Sequence, residues 1–354
     1  MALLPGLLPS QTIQTVAGTG QPTLNHFTGN IEDVNLGDPF GVEFDSEGRL
    51  YICEVRNHRI LRANLKTGNI KTIVGTGIKG FSTNSKDPEE TRLNEPYEVR
   101  IAPTGDIFFV EMQNHIVRKI DRLTGLISIV AGTGTPGFDG DGHLANKAQL
   151  NRPHSIALFQ ESLFIADIGN HRIRRVNLST GIIETYAGTG HKKLPVENSQ
   201  VRNSPVFGPR ALFVSPSQGK TFLWVALREG NSIWRINLDD PKWESVAGTG
   251  RKGYSGDGDQ AKQATFNGPK GIAISGDFCF VVDTENQAIR EINLRTGKIS
   301  TVAGNGKRGG GGDGGKAVHA QLDRPHGIGI FQGHIFVGDT LNHRIRRIAI
   351  RPVP

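Results

Sequence analysis

The chain has 354 residues, 21% of them charged, with a formal net charge of +7 and only two cysteines. So few cysteines exclude a small disulfide-stapled scaffold, and no apolar run approaches the roughly 20 residues that a membrane-spanning helix needs. These features predict a soluble protein without a membrane contact, and the positive balance brings a nucleic acid into consideration as a partner.

The first predicted element is a short β-branched strand, residues 12–17, which ends in Gly18-Thr19-Gly20. After it the chain repeats one unit six times. Each unit opens with a proline that precedes an apolar run, and a Gly-Thr-Gly step or a near copy closes it. The opening prolines are Pro39, Pro96, Pro153, Pro209, Pro269 and Pro325, spaced by 57, 57, 56, 60 and 56 residues. A regular period of this size is typical of a solenoid or a propeller.

One unit contains four short apolar stretches that are separated by turn-like residues. In the third unit they are residues 155–158, 162–166, 172–178 and 182–187. They are too short and too rich in β-branched residues for helices, so we expect strands. Four antiparallel strands per unit, repeated radially, form the blade of a propeller. The sequence therefore predicts an all-β, six-bladed β-propeller.

The last unit stops after its third predicted strand, near residue 350. The strand at residues 12–17 matches the missing fourth strand. We expect it to complete the sixth blade and to close the ring without a free edge. The prediction is a single propeller domain over residues 1–354, whose blades open near residues 39, 96, 153, 209, 269 and 325.

Each unit also carries an acidic residue, or Leu227 in the fourth unit, before a short turn and a cationic strand. The acidic positions are Glu54, Glu111, Asp167, Asp283 and Asp339. Because they recur, we interpret them as groups that cap the turn backbone and pair with nearby arginines. The recurring G-x-G-x-x-G runs, such as residues 132–137, are interpreted as turns between blades and not as a cofactor fingerprint. Cys53 and Cys279 fall on blades that are not neighbours, so no disulfide is expected.

The turn after the acidic residue reads Asn-His in four units. These steps are Asn57-His58, Asn114-His115, Asn170-His171 and Asn342-His343. In these residues and in its period the chain resembles the NHL-repeat family over nearly its whole length. The resemblance again implies a six-bladed propeller. The family includes enzymes, RNA-binding ends of regulatory proteins and protein-interaction platforms, so it predicts the fold more sharply than the activity.

The positions that do not repeat are better candidates for a site. The residue after each opening proline should lie where the innermost strand begins, near the mouth of the central channel. These six residues are Phe40, Tyr97, His154, Arg210, Lys270 and His326. Histidine and tyrosine are acid–base groups, whereas arginine and lysine hold carboxylates or phosphates. We therefore predict a small anionic ligand at the mouth, with the two histidines and the tyrosine as catalytic groups and the other three as substrate-binding groups.

Three further charged residues that do not recur are close in sequence to this set. Glu98 follows Tyr97 and is predicted to be a catalytic acid–base partner of a histidine, and Arg100 and Arg228 are predicted to bind substrate. An ion pair between Arg100 and Glu43 of the preceding blade is the structural alternative, and the sequence leaves it open.

Two histidine steps, Pro153-His154-Ser155 and Pro325-His326-Gly327, resemble the zinc-binding steps in the propeller domain of peptidylglycine-amidating lyases. That resemblance implies His154 and His326 as metal ligands. A third histidine is missing from the matching positions, although catalytic zinc normally keeps three protein ligands. The acid-rich loops at residues 139–142, 257–259 and 313–314 offer oxygen ligands for calcium, or they are acidic turns. A divalent metal, zinc or calcium, is the cofactor that the sequence suggests.

The combined prediction is a small-molecule enzyme of the lyase, hydrolase or isomerase type, with acid–base or metal-assisted chemistry on an anionic substrate at the channel mouth. Two alternatives stay open: a protein-interaction platform, and a propeller that binds single-stranded RNA. The basic residues of the third strands recur around the ring, and such a dispersed charge disfavours the nucleic-acid alternative. Residues 1–9 have no basic segment and are interrupted by proline, which predicts a cytoplasmic protein. Because a propeller buries its edges by closing, the sequence does not decide the oligomeric state.

Overall fold

The computed structural model describes residues 11–83, 87–217 and 219–350, which form 25 strands in six sheets. The innermost strands of successive sheets contact one another, and the innermost strand of the last sheet contacts that of the first. The sheets are therefore the blades of a closed ring, and the predicted six-bladed β-propeller is confirmed. No helix in the described residues is long and apolar enough to cross a membrane.

The strands of the first five blades follow chain order from the channel outward. The first blade contains β3 (Pro39–Phe44), β4 (Arg49–Glu54), β5 (Arg59–Asn64) and β6 (Asn69–Val74), with the short β2 (Thr28–Asn30) on its outer edge. The second contains β7 (Pro96–Ile101), β8 (Ile107–Glu111), β9 (Ile116–Ile120) and β10 (Ile127–Ala131). The third contains β11 (Pro153–Phe159), β12 (Ser162–Asp167), β13 (Arg172–Asn177) and β14 (Ile183–Ala187).

The fourth and fifth blades have the same order. The fourth contains β15 (Pro209–Ser217), β16 (Lys220–Leu227), β17 (Ser232–Asn237) and β18 (Trp243–Ala247), and the fifth β19 (Pro269–Ser275), β20 (Phe278–Asp283), β21 (Ala288–Asn293) and β22 (Ile299–Ala303). Eight single-turn 3-10 helices lie between strands, at Pro88–Glu90, Ala145–Lys147, Ile168–Asn170, Val201–Asn203, Ala261–Gln263, Thr284–Asn286, Ala317–His319 and Thr340–Asn342.

The sixth blade is built from both ends of the described chain. Its strands are β23 (Ile328–Phe331), β24 (His334–Asp339), β25 (Arg344–Ala349) and, on the outside, β1 (Ile13–Ala17). β1 pairs with β25 in antiparallel register, with Ile13 opposite Ile348. The predicted closing strand is confirmed, and its pairing removes the free edge that an open ring would expose.

The register gives the ring two distinct faces. In the third blade Pro153 pairs with Asp167, Asp167 pairs with Arg172, and Ile173 pairs with Ala187. The first strand therefore begins at the same end of the sheet at which the second ends, the third begins and the fourth ends. We call this end of the ring the mouth face and the opposite end the far face.

The hydrophobic core is divided into six clusters, each of which lies between two successive blades. Between the third and fourth blades, for example, Ile173 packs with Leu223 and Trp243, all fully buried. Both faces of each sheet are covered in this way, so the inner strands are apolar along most of their length. Packing between blades, and not within one central core, holds the ring together.

Five of the six blades bury an ion pair at the mouth face between the acidic residue of the repeat and an arginine of the third strand. The pairs are Glu54–Arg59, Glu111–Arg118, Asp167–Arg174, Asp283–Arg290 and Asp339–Arg346, and all ten side chains are fully buried. In the fourth blade Leu227 and Trp234 take the equivalent places. The interpretation of these acidic residues as structural groups is confirmed.

The acid-rich loops form ion pairs with three of the same arginines. Asp141 lies 2.7 Å from Arg174, Asp257 2.8 Å from Arg290, and the carboxylate of Asp313 lies equally close to the arginine of the sixth blade. Their carboxylates are therefore second partners of buried cations. The loops are structural turns, and the calcium interpretation has no support from this geometry.

The histidine of the Asn-His turn forms a hydrogen bond to the start of the next blade. His115 has a left-handed backbone, and its Nδ1 accepts a hydrogen bond of 2.9 Å from the backbone N–H of Arg152, just before the next blade opens. Gly132 of the Gly-Thr-Gly step packs against the carbonyl of the same histidine, where a Cβ would come within 2.2 Å of the oxygen. The G-x-G-x-x-G runs are thus turns between blades, as predicted. Cys53 and Cys279 are both free and buried.

Candidate functional site

The six residues that follow the opening prolines converge at the mouth of the channel, as predicted. His154, Arg210, Lys270 and His326 are each more than nine-tenths buried, and Phe40 and Tyr97 are half-buried. Five of them lie on the first strand of their own blade, whereas His326 precedes β23, the first strand of the sixth blade. The structure corrects one expectation: the six side chains do not stand around an open concavity but fill the channel.

Direct contacts join these six residues into a plug. The ring of Phe40 stacks on His326 with centroids 3.9 Å apart, and its edge lies 4.6 Å from Tyr97. Tyr97 in turn contacts His154 at 4.8 Å. The guanidinium of Arg210 lies over the Tyr97 ring at 4.9 Å. The plug therefore places two imidazoles and a phenol against fixed positive charge.

Both histidines of the plug are held in one tautomer by backbone carbonyls. Nδ1 of His154 lies 2.5 Å from the Arg152 carbonyl, and Nδ1 of His326 lies 2.7 Å from the Arg324 carbonyl. Because a carbonyl only accepts, each Nδ1 carries the hydrogen and each Nε2 keeps its lone pair. Burial, followed by the nearby Lys270 and Arg210, holds the pKa of His326 well below its usual value, so this ring is a neutral hydrogen-bond acceptor at neutral pH.

The metal that the histidines suggested does not fit this donor set. Nε2 of His326 faces the Lys270 amine at 3.2 Å, so its ligating lone pair is already engaged by a hydrogen-bond donor. No group of three or more His, Cys, Asp or Glu side chains that could hold a metal ion occurs among the described residues. A catalytic zinc ion would need a third ligand, and Arg210 and Lys270 are cationic neighbours. We derive no chemistry through a metal here.

A cleft of about 270 Å³ opens above the plug on the mouth face. Its charged lining comprises five basic side chains and one carboxylate, namely Arg152, Arg210, Arg228, Lys270, Arg324 and Asp38. The cleft continues over the third and fourth blades into a side cleft of about 400 Å³ that shares Arg152, His154 and Arg228 with it. An excess of positive charge in a concave site raises the local concentration of anions.

Arg152 and Arg324 were missed by the sequence analysis. They precede the prolines of the third and sixth blades and have left-handed backbones, with φ of 53° and 46°. Glycine occupies the matching place in two other blades, at Gly208 and Gly268, also with positive φ. The sequence signal was a repeat position that is glycine in some blades and arginine in others. This position needs a left-handed backbone, which costs a non-glycine residue on the order of 1 kcal/mol, so an arginine there is unexpected.

Arg210 is the buried cation without a counterion. No carboxylate lies within ion-pair distance of its guanidinium in the part of the chain that the structure describes. Burial lowers its pKa to about 10, which leaves it charged at neutral pH. A buried charge without a partner is costly, and this one lies at the floor of a basic cleft.

Lys270 lies beside it in a different environment. Its Nζ is 3.1 Å from Oε1 of Glu285, and the same oxygen accepts from Arg324 at 2.9 Å. Burial, reinforced by the charge of Arg210, lowers the Lys270 pKa to about 7. The amine is therefore neutral in a substantial fraction of molecules at neutral pH, whereas the sequence suggested a permanent cation.

Glu98 and Arg100 lie below the plug and not in the cleft. The guanidinium of Arg100 forms ion pairs with Glu98 and, at 3.1 Å, with Glu43, and it donates to the Leu212 carbonyl across the channel. Burial raises the pKa of Glu98 to about 7 despite Arg100. With the plug residues this network borders a cavity of only about 30 Å³. The structural alternative, an ion pair between Glu43 and Arg100, is confirmed. Glu98 and Arg100 do not line the cleft, so the geometry gives them no direct contact with a ligand there.

Arg228 reaches the cleft as predicted. Its guanidinium is 42% exposed and pairs with the adjacent Glu229. Arg228 therefore lies at the exposed rim of the cleft, whereas Arg210 is buried at its floor.

The chain is similar to part of each of two longer proteins. Protein SUPPRESSOR OF QUENCHING 1 of Arabidopsis thaliana is 28% identical over 313 residues, which are 85% of this chain and 29% of that protein. NHL repeat-containing protein 2 of Gallus gallus is 27% identical over 340 residues, 87% of this chain and 46% of that protein. The chain spans less than half the length of these relatives. They support an NHL-type propeller, and they do not show the resemblance to the amidating lyases. No protein-family model matches the chain.

Solved structures of the same fold include binding proteins and enzymes. An auxiliary nutrient binding protein from Bacteroides thetaiotaomicron superposes with a TM-score of 0.69 at 16% identity, over 96% of this chain and 76% of that one. A streptogramin B lyase superposes with a TM-score of 0.56 at 17% identity, over 96% and 97%. A gluconolactonase from Xanthomonas campestris superposes with a TM-score of 0.60 at 10% identity, over 97% and 90%. At these identities the likeness shows the fold alone.

Proposed function

We propose that this propeller binds a small anionic molecule in the cleft above the plug and carries out acid–base chemistry on it. The observation that supports this best is Arg210, a buried guanidinium without a carboxylate partner at the floor of a cleft of about 270 Å³. A carboxylate or phosphate of the ligand would supply the missing counterion through charge-assisted hydrogen bonds. Arg152 and Arg228 would add attraction at the rim.

His154 is the group that we assign to proton transfer. Its Nδ1–H is fixed on the Arg152 carbonyl, which leaves the lone pair on Nε2, and the residue lines the cleft. A histidine held in this way accepts a proton from a bound substrate and can return it. Tyr97, packed against His154 and under Arg210, orients a substrate oxygen in this proposal.

Enzymes occur among the solved structures of the same fold. The streptogramin B lyase and the gluconolactonase of the same fold are named for small-molecule reactions. A lyase or lactone-hydrolase reaction needs a positioned base and a cationic or hydrogen-bonding group for the developing oxyanion. His154 and Arg210 would supply that pair here.

Part of the positive charge that suggested RNA binding is not available at the surface. Five arginines of the third strands are fully buried in the structural ion pairs, so they contribute nothing to an exposed surface that could bind a polyanion. Non-specific nucleic-acid binding depends on exposed Lys and Arg at phosphate spacing. The enclosed cleft favours a small anion instead.

The test is a binding titration with phosphate, citrate and glucuronate on the wild type and on two matched variants. Arg210→Ala should weaken binding of an anion by tenfold or more, because a charge-assisted hydrogen bond contributes about 1.5–3 kcal/mol. Arg295→Ala is the control: this arginine is 64% exposed and pairs with Asp277 on the far face. Equal affinities for the two variants, with both folded, would refute the assignment.

A further inference from the structure

The Lys270 amine lies between the two cavities of the channel. It lines both the cleft of about 270 Å³ and the smaller cavity of about 30 Å³ beneath it. Its side chain is only 3% exposed. A molecule bound in the cleft above the plug would therefore meet the amine at its floor, shielded from bulk water.

Two neighbours hold the Nζ atom. Glu285 offers a carboxylate oxygen at 3.1 Å, but Arg324 uses the same oxygen. His326 offers its Nε2 lone pair at 3.2 Å, and the hydrogen on its Nδ1 is directed to the Arg324 carbonyl. Two cations thus share a single carboxylate oxygen, and Arg210 adds a third positive charge nearby.

This environment is suited to a nucleophilic amine. Burial and neighbouring cations both disfavour the ammonium form of lysine, and a lysine next to another cationic group is an established way to obtain a reactive amine at neutral pH. Nε2 of His326 accepts a hydrogen bond from the amine, and Glu285 keeps the amine in place. None of these features is needed for a lysine that only attracts an anion, since an exposed ammonium would do so without burial.

Building on the proposed function, we propose that Lys270 forms an imine with the carbonyl carbon of a small oxo acid whose carboxylate is held by Arg210. The substrate class is thereby narrowed to small molecules that carry both a carbonyl and an acid group. The cleft of about 270 Å³ has room for such a compound, and the amine and the guanidinium come from adjacent positions on neighbouring blades.

The step balances without a further reactant. The Lys270 ammonium releases one proton to solvent, and the free amine attacks the carbonyl carbon, so that a C–N bond forms as the C–O double bond becomes single. The nitrogen then loses a second proton while the oxygen gains one. Uptake of one proton from solvent by that oxygen breaks the C–O bond and releases water. The ammonium and the carbonyl are thus converted to a protonated imine and one water molecule.

The experiment is reductive trapping with pyruvate as the probe. The purified chain is incubated with pyruvate and sodium cyanoborohydride at neutral pH, and intact mass and peptide mapping locate the reduced adduct. We expect one adduct per chain on Lys270, none at that site in Lys270→Arg, and an unchanged adduct in the control Lys193→Arg, which removes an exposed lysine near the same face. Lys270→Met is a second variant in case the arginine side chain does not fit, and circular dichroism confirms that each variant folds.

Two outcomes would overturn the imine. One is an adduct spread over exposed lysines that persists in both Lys270 variants. The other is saturable pyruvate binding, lost in Arg210→Ala, without any trapped adduct in the wild type. The second outcome would leave the anion site intact and refute only the covalent role of Lys270, whereas loss of the difference between Arg210→Ala and Arg295→Ala would refute the anion site itself.

Discussion

Removal of one partner from a buried ion pair should destabilise the ring more than replacement of the whole pair. In the sixth blade Asp339 lies 3.1 Å from Arg346 and accepts from the backbone of Asp323 and the side chain of Asn342, each at 2.8 Å. Asp339→Ala leaves the guanidinium buried, with Asp313 as its remaining partner. Breaking such a pair costs about 3–5 kcal/mol, and the remaining carboxylate places the expected loss near 3 kcal/mol.

The double variant Asp339→Leu/Arg346→Met imitates the fourth blade, where leucine and tryptophan occupy these places. It removes the buried charge and leaves only two donors without their acceptor, at about 1 kcal/mol each. The expected loss is therefore about 2 kcal/mol, which is smaller than that of the single substitution. Asp313→Ala is the control, since its side chain is 39% exposed and such contacts contribute at most about 1 kcal/mol.

Urea unfolding followed by far-UV circular dichroism measures all three free energies. Tryptophan fluorescence is a useful second probe, because Trp224, Trp234 and Trp243 all lie in the fourth blade and report on a part of the ring remote from the substitution. Coincident transitions would show that the ring unfolds as one unit. A double variant less stable than Asp339→Ala would refute the reasoning, because the destabilisation would then not arise from an uncompensated buried charge.

Three shorter predictions test other parts of the structure. Gly304→Ala should lower the unfolding free energy by at least about 2 kcal/mol more than Gly306→Ala, because both have positive φ but only the first would place a Cβ 2.1 Å from the Gln287 carbonyl; equal urea midpoints would contradict this. The pKa of Lys270 is depressed to about 7, so the wild type should gain stability relative to Lys270→Met as the pH rises from 7 towards 10.5; a pH-independent difference in melting temperature would refute it. Thr340→Val removes a hydroxyl that donates to the first-blade proline carbonyl at 2.7 Å and should cost about 1–2 kcal/mol, measured by the same unfolding assay, with no loss expected if the bond is not formed in solution.

The propeller could be predicted because its evidence is periodic. Six prolines, five Gly-Thr-Gly steps with one Gly-Asn-Gly copy, and five acidic residues fix the period independently. Each has a local cause that the structure shows: the proline starts the first strand in five blades, Gly132 packs against a carbonyl, and Asp167 accepts from a turn. Closure by β1 followed from counting strands in the last unit. The repeat period and the closing strand depend on contacts between residues close in sequence and on strand register, and both can be predicted from the spacing of residues in the sequence.

The depth of each side chain in the channel could not be predicted in the same way. Spacing along β7 places Tyr97 and Glu98 next to each other, but a register shift between Pro96 and Glu98 puts the first in the plug and the second with Arg100 beneath it. How far a side chain reaches across the ring depends on five other blades. For the same reason the sequence treated Lys270 as a simple cation: its pKa is lowered by burial and by Arg210 and Arg324, which are distant in sequence, whereas the nearer Glu285 opposes the shift.

The pairing of β1 with β25 also determines where the ring can be tethered. Ile13 and Ile348 are partners on the outer part of the sixth blade, and both lie at the far face, since β1 ends and β25 begins at the mouth face. Polypeptide that continued from either side in a longer protein would thus leave from a single point on the rim, on the side away from the cleft. A ring attached in this way would turn its far face towards the rest of the protein and leave the cleft on its mouth face accessible to small molecules from solution.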